Sequence, residues 1–393
     1  MMPKRIPLHK THKGHAEKQP FECVALLLQG GGALGAYQAG VYEALSEADL
    51  LPNWVAGISI GAMNSAIIAG NAPEKRVEKL RQFWEYITDN TLWDSMSNFG
   101  DQLNFGDVSR GYVNQLSAAA SMFNGIHGFF KPRFPPPYLR EKGAEGATSY
   151  YDTSALKSTL EKFVDFDRVN SGETWLSVGA TNVKSGNFVY FDTHTHTIKP
   201  EHIMASGALP PSFASVEIDG EYYWDGGLVS NTPLQWVLDN HIRMDTLAFQ
   251  VDLWSAEGSL PRDMAEVTTR QKEILYSSRT RAATDRFKYA QRMRHAIDGL
   301  LSKLPPELKN DEDAKILSKV ADRKVYNIVH LIYHARNFEG ESKDYEFSRL
   351  SMEEHWKAGY IATTRSLKHP EILERPTNNE GVFTFDVAQH GRE

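Results

Sequence analysis

Residues 54–69 read WVAGISIGAMNSAIIA. Trp54 to Ile58 is a short apolar run of strand length, and Met63 to Ala69 is small and apolar, as a buried helix requires. Between them lies Gly57-Ile58-Ser59-Ile60-Gly61. A strand that turns sharply into a helix exposes the residue at the corner, and flanking glycines let the backbone bend and pass closely. The following helix N-terminus favours negative charge developing nearby. The five letters alone are common. With a strand before them and a helix after, they make Ser59 a candidate nucleophile and Gly57 and Gly61 its supports. The plain alternative is a tight turn whose serine caps a helix.

On the N-terminal side, Cys23 to Leu28 is another buried-strand run, and it ends in Gly30-Gly31-Gly32-Ala33-Leu34-Gly35. Apolar residues then recur at helical spacing through Leu34, Tyr37, Val41, Tyr42 and Leu45. Successive glycine amides can converge on one anion. In an acyl hydrolase that anion is the oxyanion of a tetrahedral intermediate; in a dinucleotide enzyme it is a pyrophosphate. The nucleotide pattern needs an acidic residue at the end of the second strand. Glu47 and Asp49 fall at a helix end instead, and the second strand ends in the serine turn.

Further on, Arg76 to Ile87 reads as an amphipathic helix. Thr88 to Tyr151 is rich in Gly, Pro, Ser and aromatics, including Trp93, Phe99, Phe129, Phe130 and Phe134. A long irregular insertion of this kind is either a lid over a site or a surface excursion. Thr153 reads as the N-cap of a helix through Phe163. Trp175 to Thr181 and Phe188 to Phe191 read as strands. Val216 to Ile218 and Glu221 to Trp224 flank Asp219-Gly220, a hairpin signal. Asp225-Gly226-Gly227 follows directly, and Asn231-Thr232-Pro233 reads as a helix start. Leu247 to Leu253 and Lys324 to Tyr333 read as strands. Arg262 to Lys303 reads as one long basic helical stretch. Ser351 and Glu354 read as a capping box that opens a last helix through about Leu367. The alternation of strands and helices predicts an α/β fold with a central, mostly parallel sheet and a helical C-terminal addition. The expected divisions are a disordered basic tail over 1–20, the α/β domain over 21–260, with 88–151 as candidate lid, and a mostly helical region over 261–393.

A serine hydroxyl needs a base to attack at neutral pH. An ordinary Asp, with a pKa of ~3.9, is a weaker base than His at ~6.5. Asp225 used directly would therefore need a short hydrogen bond, and desolvation would help by raising its pKa. With 14 histidines in the chain, a Ser-His-Asp triad stays open. His241 follows Asp225 in a suitable order but lies at a predicted helix end. His194 and His196 alternate on a strand-like THTHT run and read as solvent-facing, and no third ligand has metal-site spacing.

Three stretches together resemble the patatin-like phospholipases in order and spacing: GGGALG at 30–35, GISIGA at 57–62, and ASGALPPSFASVEIDGEYYWDGGLVSNTPL at 205–234. The resemblance covers about residues 23 to 240. It implies a three-layer patatin-like fold and a Ser–Asp dyad of Ser59 and Asp225. The oxyanion hole it implies is formed by the amides of Gly31 and Gly32, with Gly30, Gly35, Gly226 and Gly227 in support. No metal or cofactor is implied. One position departs: Leu34 stands where many members carry Arg or Lys to support the loop or the anion. The stretch after Pro261 resembles extensions found in some bacterial members.

The rest of the composition sets limits. The chain has 393 residues, 41% of them hydrophobic and 24% charged, an ordinary globular profile. A net charge of −7 gives no reason to expect nucleic-acid binding. Cys23 is the sole cysteine, so an intrachain disulfide and a CxxC zinc site are excluded. No run reaches the ~18 apolar residues that span a bilayer, because Gln29, the glycines and Gln38 interrupt the most apolar region, 23–45. The basic, His-rich start lacks the apolar segment of a secretion signal. A cytoplasmic protein is expected. The basic stretch from Arg270 to Arg294 leaves peripheral membrane contact and a homo-oligomer interface open. The expected partner is a lipid or other acyl ester. A transacylase using the same dyad, or a lipid-binding protein without turnover, are the alternatives.

Overall fold

Cys23–Leu28 (β1) is apolar at all six positions and buried at all of them. A strand reads this way when it has neighbours on both edges and helices on both faces. In the computed structural model, which describes residues 20–89, 107–238, 242–277, 280–335 and 339–386, β1 has both. Trp54–Ile58 (β2) lies parallel on one edge and Thr246–Asp252 (β9) parallel on the other. The remaining strands are Lys131–Pro132 (β3), Tyr151–Asp152 (β4), Trp175–Asn182 (β5), Phe188–Asp192 (β6), Val216–Ile218 (β7), Glu221–Asp225 (β8), Tyr326–Ile332 (β10) and Val382–Asp386 (β11). Among the described residues the main sheet has nine strands in the order β11-β10-β9-β1-β2-β5-β8-β7, with β6 also on β5. From β11 to β5 all pairs are parallel; β6, β7 and β8 run antiparallel.

The described helices are Ala36–Glu47 (α1), Ile60–Ala69 (α2), Arg76–Ile87 (α3), Asp107–Asn124 (α4), Ser154–Phe163 (α5), Phe166–Asn170 (α6), Pro200–Ser206 (α7), Leu234–Leu238 (α8), Met264–Tyr276 (α9), Thr280–Leu301 (α10), Glu312–Val320 (α11) and Arg349–Ser366 (α12). They make the fold three-layered. Strand residues alternate between two apolar cores, as the pleat dictates. Leu26, Leu28, Val55 and Phe249 face one core with residues of α1, α2, α3 and α12. Ala25, Leu27, Trp54 and Ala248 face the other with Leu234 of α8 and Phe287 of α10. No described helix is long and apolar enough to cross a membrane.

The region after 260 is largely helical and also feeds the sheet. It contributes β10 and β11, the second of which the sequence did not announce. Its last helix, α12, lies on α1: Trp356 donates to Glu43, and the Tyr360 hydroxyl donates to Glu47 at 2.6 Å. Several local expectations shift. The basic helical stretch is two helices, because Ser277 is extended (φ −56°, ψ 138°) and ends α9 at Tyr276. The cap of α12 is Ser348, whose side chain accepts from the Ser351 amide, so the predicted Ser351–Glu354 box lies one turn inside the helix. The insertion is not wholly irregular, since α4 runs through it for 18 residues. The hairpin at Asp219-Gly220 is present, with φ of 51° and 83° at those residues. The basic tail expected over 1–20 lies outside the described residues except for Pro20.

Candidate active site

Ser59 occupies the single residue between β2 and α2, with φ 56° and ψ −124°. A positive φ is unfavourable for a residue with a Cβ, and it persists only where the surroundings enforce it. The enforcement is visible. A Cβ on Gly57 would lie 2.2 Å from the Gly61 carbonyl oxygen, and one on Gly61 would lie 2.3 Å from that of Leu28. The first turn of α2 is therefore packed directly on the strand ends. The Ser59 amide donates to Ser206 Oγ at 2.9 Å, and Ser206 in turn donates to the Gly179 carbonyl at 2.6 Å.

Asp225 reaches Ser59 through the sheet. β5 pairs with β2 up to Ile58↔Gly179 and with β8 from Ala180↔Asp225. β6 fills the opposite edge of β5. The end of β2 and the end of β8 thus meet head to head on one edge, which brings positions 59 and 225 together. Asp225 is 2% exposed. Its carboxylate accepts hydrogen bonds from Ser59 and from the Gly227 amide, the latter at 2.7 Å. Burial pushes the carboxyl from its ordinary 3.8 up to about 7, against the lowering effect of these two bonds. No described histidine hydrogen-bonds either residue. His194 and His196 lie exposed in the turn after β6 rather than on a strand. His202 is buried on α7, where burial holds its pKa down and its ring accepts from the Lys199 amide. His241 lies outside the described residues.

The glycine loop passes against the serine: a Cβ on Gly30 would lie 3.0 Å from Ser59 Cβ. Its amides have different fates. Gly30 donates to Asn231 Oδ1, Ala33 to the Asp344 carbonyl, and Leu34 to the Gly31 carbonyl. Among the described residues the amides of Gly31 and Gly32 have no such partner, and both glycines are partly exposed. Gly32 has φ +56°. Leu34 is fully buried in the hydrophobic core, so the position that carries Arg or Lys in many patatin-like proteins holds an apolar core side chain here.

Several residues that hold this arrangement escaped the sequence reading. Gln29 Oε1 accepts the amides of Leu253 and Trp254, and its Nε2 donates to the Tyr276 carbonyl. Gln38 donates to the Gln29 carbonyl and accepts from Asn64, which also donates to the Gly35 carbonyl. Trp84 donates to Asn64 Oδ1. This buried chain links the glycine loop to α2. Gln29 and Gln38 are the same residues that interrupt the apolar run, and a polar side chain placed in such a run must find partners. Asn231 spans Gly30 and Tyr276, donating to both carbonyls at 3.0 and 3.1 Å.

The insertion packs beside the site. Tyr150 and Tyr151 donate their amides to the carbonyls of Pro211 and Ser212, and Phe130 and Tyr151 cluster on Phe213. The same loop supplies the Ala208 carbonyl that accepts the Asp225 amide. A cavity of about 400 Å³ is lined largely by insertion residues, His127 and Phe130 among them, together with Ile87 and Phe347; Ser59, Asp225 and the glycine loop do not line it. Trp93 and Phe99 lie outside the described residues.

Comparison with known proteins adds to this geometry. A family model described as patatin-like phospholipase matches residues 26–238, and one described as patatin phospholipase matches residues 274–379. The triacylglycerol lipase SDP1L of Arabidopsis thaliana is 41% identical over 54 residues, 14% of this chain and 7% of that protein. The lysophospholipase nte1 of Aspergillus terreus is 34% identical over 91 residues, 21% of this chain and 6% of that protein. The chain thus spans less than a tenth of the length of these relatives. Among solved structures, VipD from Legionella pneumophila aligns over 97% of this chain and 75% of its own, with a TM-score of 0.38 and 16% identity. The first family model covers more than half of the chain and takes in Ser59, Asp225 and the glycine loop together, and the chain belongs to the patatin-like phospholipase family.

Proposed function

We propose that this chain hydrolyses carboxylic esters of lipids through an acyl-enzyme on Ser59, with Asp225 as its base. The observation that carries the reading is one contact: a serine held on a strained corner, hydrogen-bonded to a buried carboxyl poised near neutrality. Ionised Asp225 takes the hydroxyl proton as Ser59 Oγ attacks the ester carbonyl. The tetrahedral oxyanion faces the amides of Gly31 and Gly32, each worth ~3 kcal/mol if well placed. The intermediate collapses, and the departing alcohol takes the proton from Asp225. Water then attacks the acyl-enzyme, Asp225 accepts its proton, and the proton returns to Ser59 as the free acid leaves.

The lipid part of the proposal is supported by the two relatives, a triacylglycerol lipase and a lysophospholipase, and by the aromatic insertion. We assign residues 88–151 the role of a cover that meets the acyl chain. A panel of p-nitrophenyl esters, triacylglycerols and phospholipids, run with Ser59→Ala as control, tests the reading. Turnover of at least one class that disappears in Ser59→Ala is expected. Equal turnover by the variant, or none by the wild type on any ester, would reject it.

A further inference from the structure

Leu34 supplies no charge to the glycine loop, so the loop must be held by other groups. Asp344 sits directly against it. Its carbonyl accepts the Ala33 amide at 2.8 Å, and a Cβ on Gly32 would lie 2.0 Å from that same oxygen. The Asp344 carboxylate is held by Lys272 of α9, whose ammonium donates to both oxygens at 2.9 and 3.1 Å. The neighbouring Lys343 is 4% exposed and pairs with Glu273 of the same helix at 2.8 Å. Its ammonium lies 5.1 Å over the Trp254 ring, and Trp254 Nε1 donates to the Gly30 carbonyl at 3.0 Å. At its C-terminal end α9 offers the Tyr276 carbonyl to Gln29 and Asn231. One helix and one short segment therefore grip the loop on both sides of Gly31 and Gly32.

We infer that Lys272 and Asp344 are positioning residues that hold the glycine loop in its oxyanion-binding shape. The inference rests on the function proposed above, and it makes the C-terminal region part of the working site. Lys272 and Asp344 side chains are 27% and 22% exposed. A partly exposed pair contributes little to global stability, so its effect falls on local geometry. Amides aimed at an oxyanion tolerate little displacement: a shift of ~1 Å can cost ~100-fold in rate.

The test compares wild type, Lys272→Met, Lys272→Arg and Asp344→Asn by hydrogen exchange and by steady-state kinetics. In Lys272→Met the amides of the 29–38 segment should exchange faster, since Ala33 loses its fixed acceptor. Its kcat should fall about tenfold or more while KM stays within about twofold. Lys272→Arg keeps the cation and should restore most of both. Asp344→Asn, which keeps the shape but loses the charge, should fall between them. Unchanged exchange in the loop overturns the inference, and so does faster exchange with unchanged kcat. Should the wild type show no Ser59-dependent turnover, the proposed function falls, and the exchange comparison still decides the brace.

Discussion

The two halves of the candidate site are built in different ways. The serine corner is local: β2, Ser59 and α2 are contiguous, and Gly57 and Gly61 force the turn within five residues. The glycine loop is not. Asn231, Trp254, Tyr276 and Asp344 hold it, and they come from 200 residues or more further along the chain. A nucleophile can be set by short-range sterics, because one strained φ is enough to expose it. An anion site made of backbone amides needs its loop fixed from outside, because glycines have little conformational preference of their own.

Changes that break the local half should have the largest effects. Ser59→Ala should abolish ester turnover and leave the fold intact, since a small side chain at a corner is lost; circular dichroism and thermal melting check the second part. Asp225→Asn keeps the shape and removes the base. It should lower kcat by roughly 10³-fold or more with a modest change in KM. The same change should reveal a cost in stability. The Asp225 carboxyl binds its proton more tightly in the folded state, at about 7 against an ordinary 3.8. The stability it contributes is full below pH 3.8 and is lost as pH rises through about 7. Asp225→Asn should therefore gain in melting temperature over wild type at pH 8, and gain much less at pH 5. An equal difference at both values would mean that the carboxyl is not strained by its burial.

Changes to the distant half should be smaller and more selective. Asn231→Leu removes three hydrogen bonds to the Gly30 and Tyr276 backbone. It should lower kcat roughly 10- to 100-fold and cost about 1–3 kcal/mol of stability through the unsatisfied groups left behind. Smallest of all should be His194→Ala and His196→Ala, which alter exposed turn residues. A loss as large as that in Ser59→Ala from either change would bring back a triad.

The same contrast explains what the sequence made legible. The strands around the serine, the hairpin at Asp219-Gly220 and the Asp-Gly-Gly turn are short-range patterns, and they read correctly from spacing and turn chemistry. Strand β11 did not, because VFTFD is short and, among the described residues, pairs only with β10, across more than 50 residues. Helix α4 was hidden in a segment whose average composition is loop-like, although SAAAS at 117–121 favours a helix. The meeting of β2 and β8 on one edge of β5 depends on pairing between segments more than 40 residues apart, which no local pattern encodes. The brace from Lys272 and Asp344 was the least legible part. In the sequence Lys272 is one cation in a basic stretch, and its partner lies 72 positions away.

The most direct test of the central claim, that Asp225 activates Ser59, needs no knowledge of the substrate. The rate at which an uncharged fluorophosphonate labels Ser59 can be followed by mass spectrometry from pH 5 to 9. With Asp225 as the base, the rate should rise through a single ionisation near pH 7 and level off above it, matching Asp225 at about 7. In Asp225→Asn, labelling should nearly disappear across the whole range. Labelling of Asp225→Asn at the wild-type rate, with the same pH dependence, would contradict the claim.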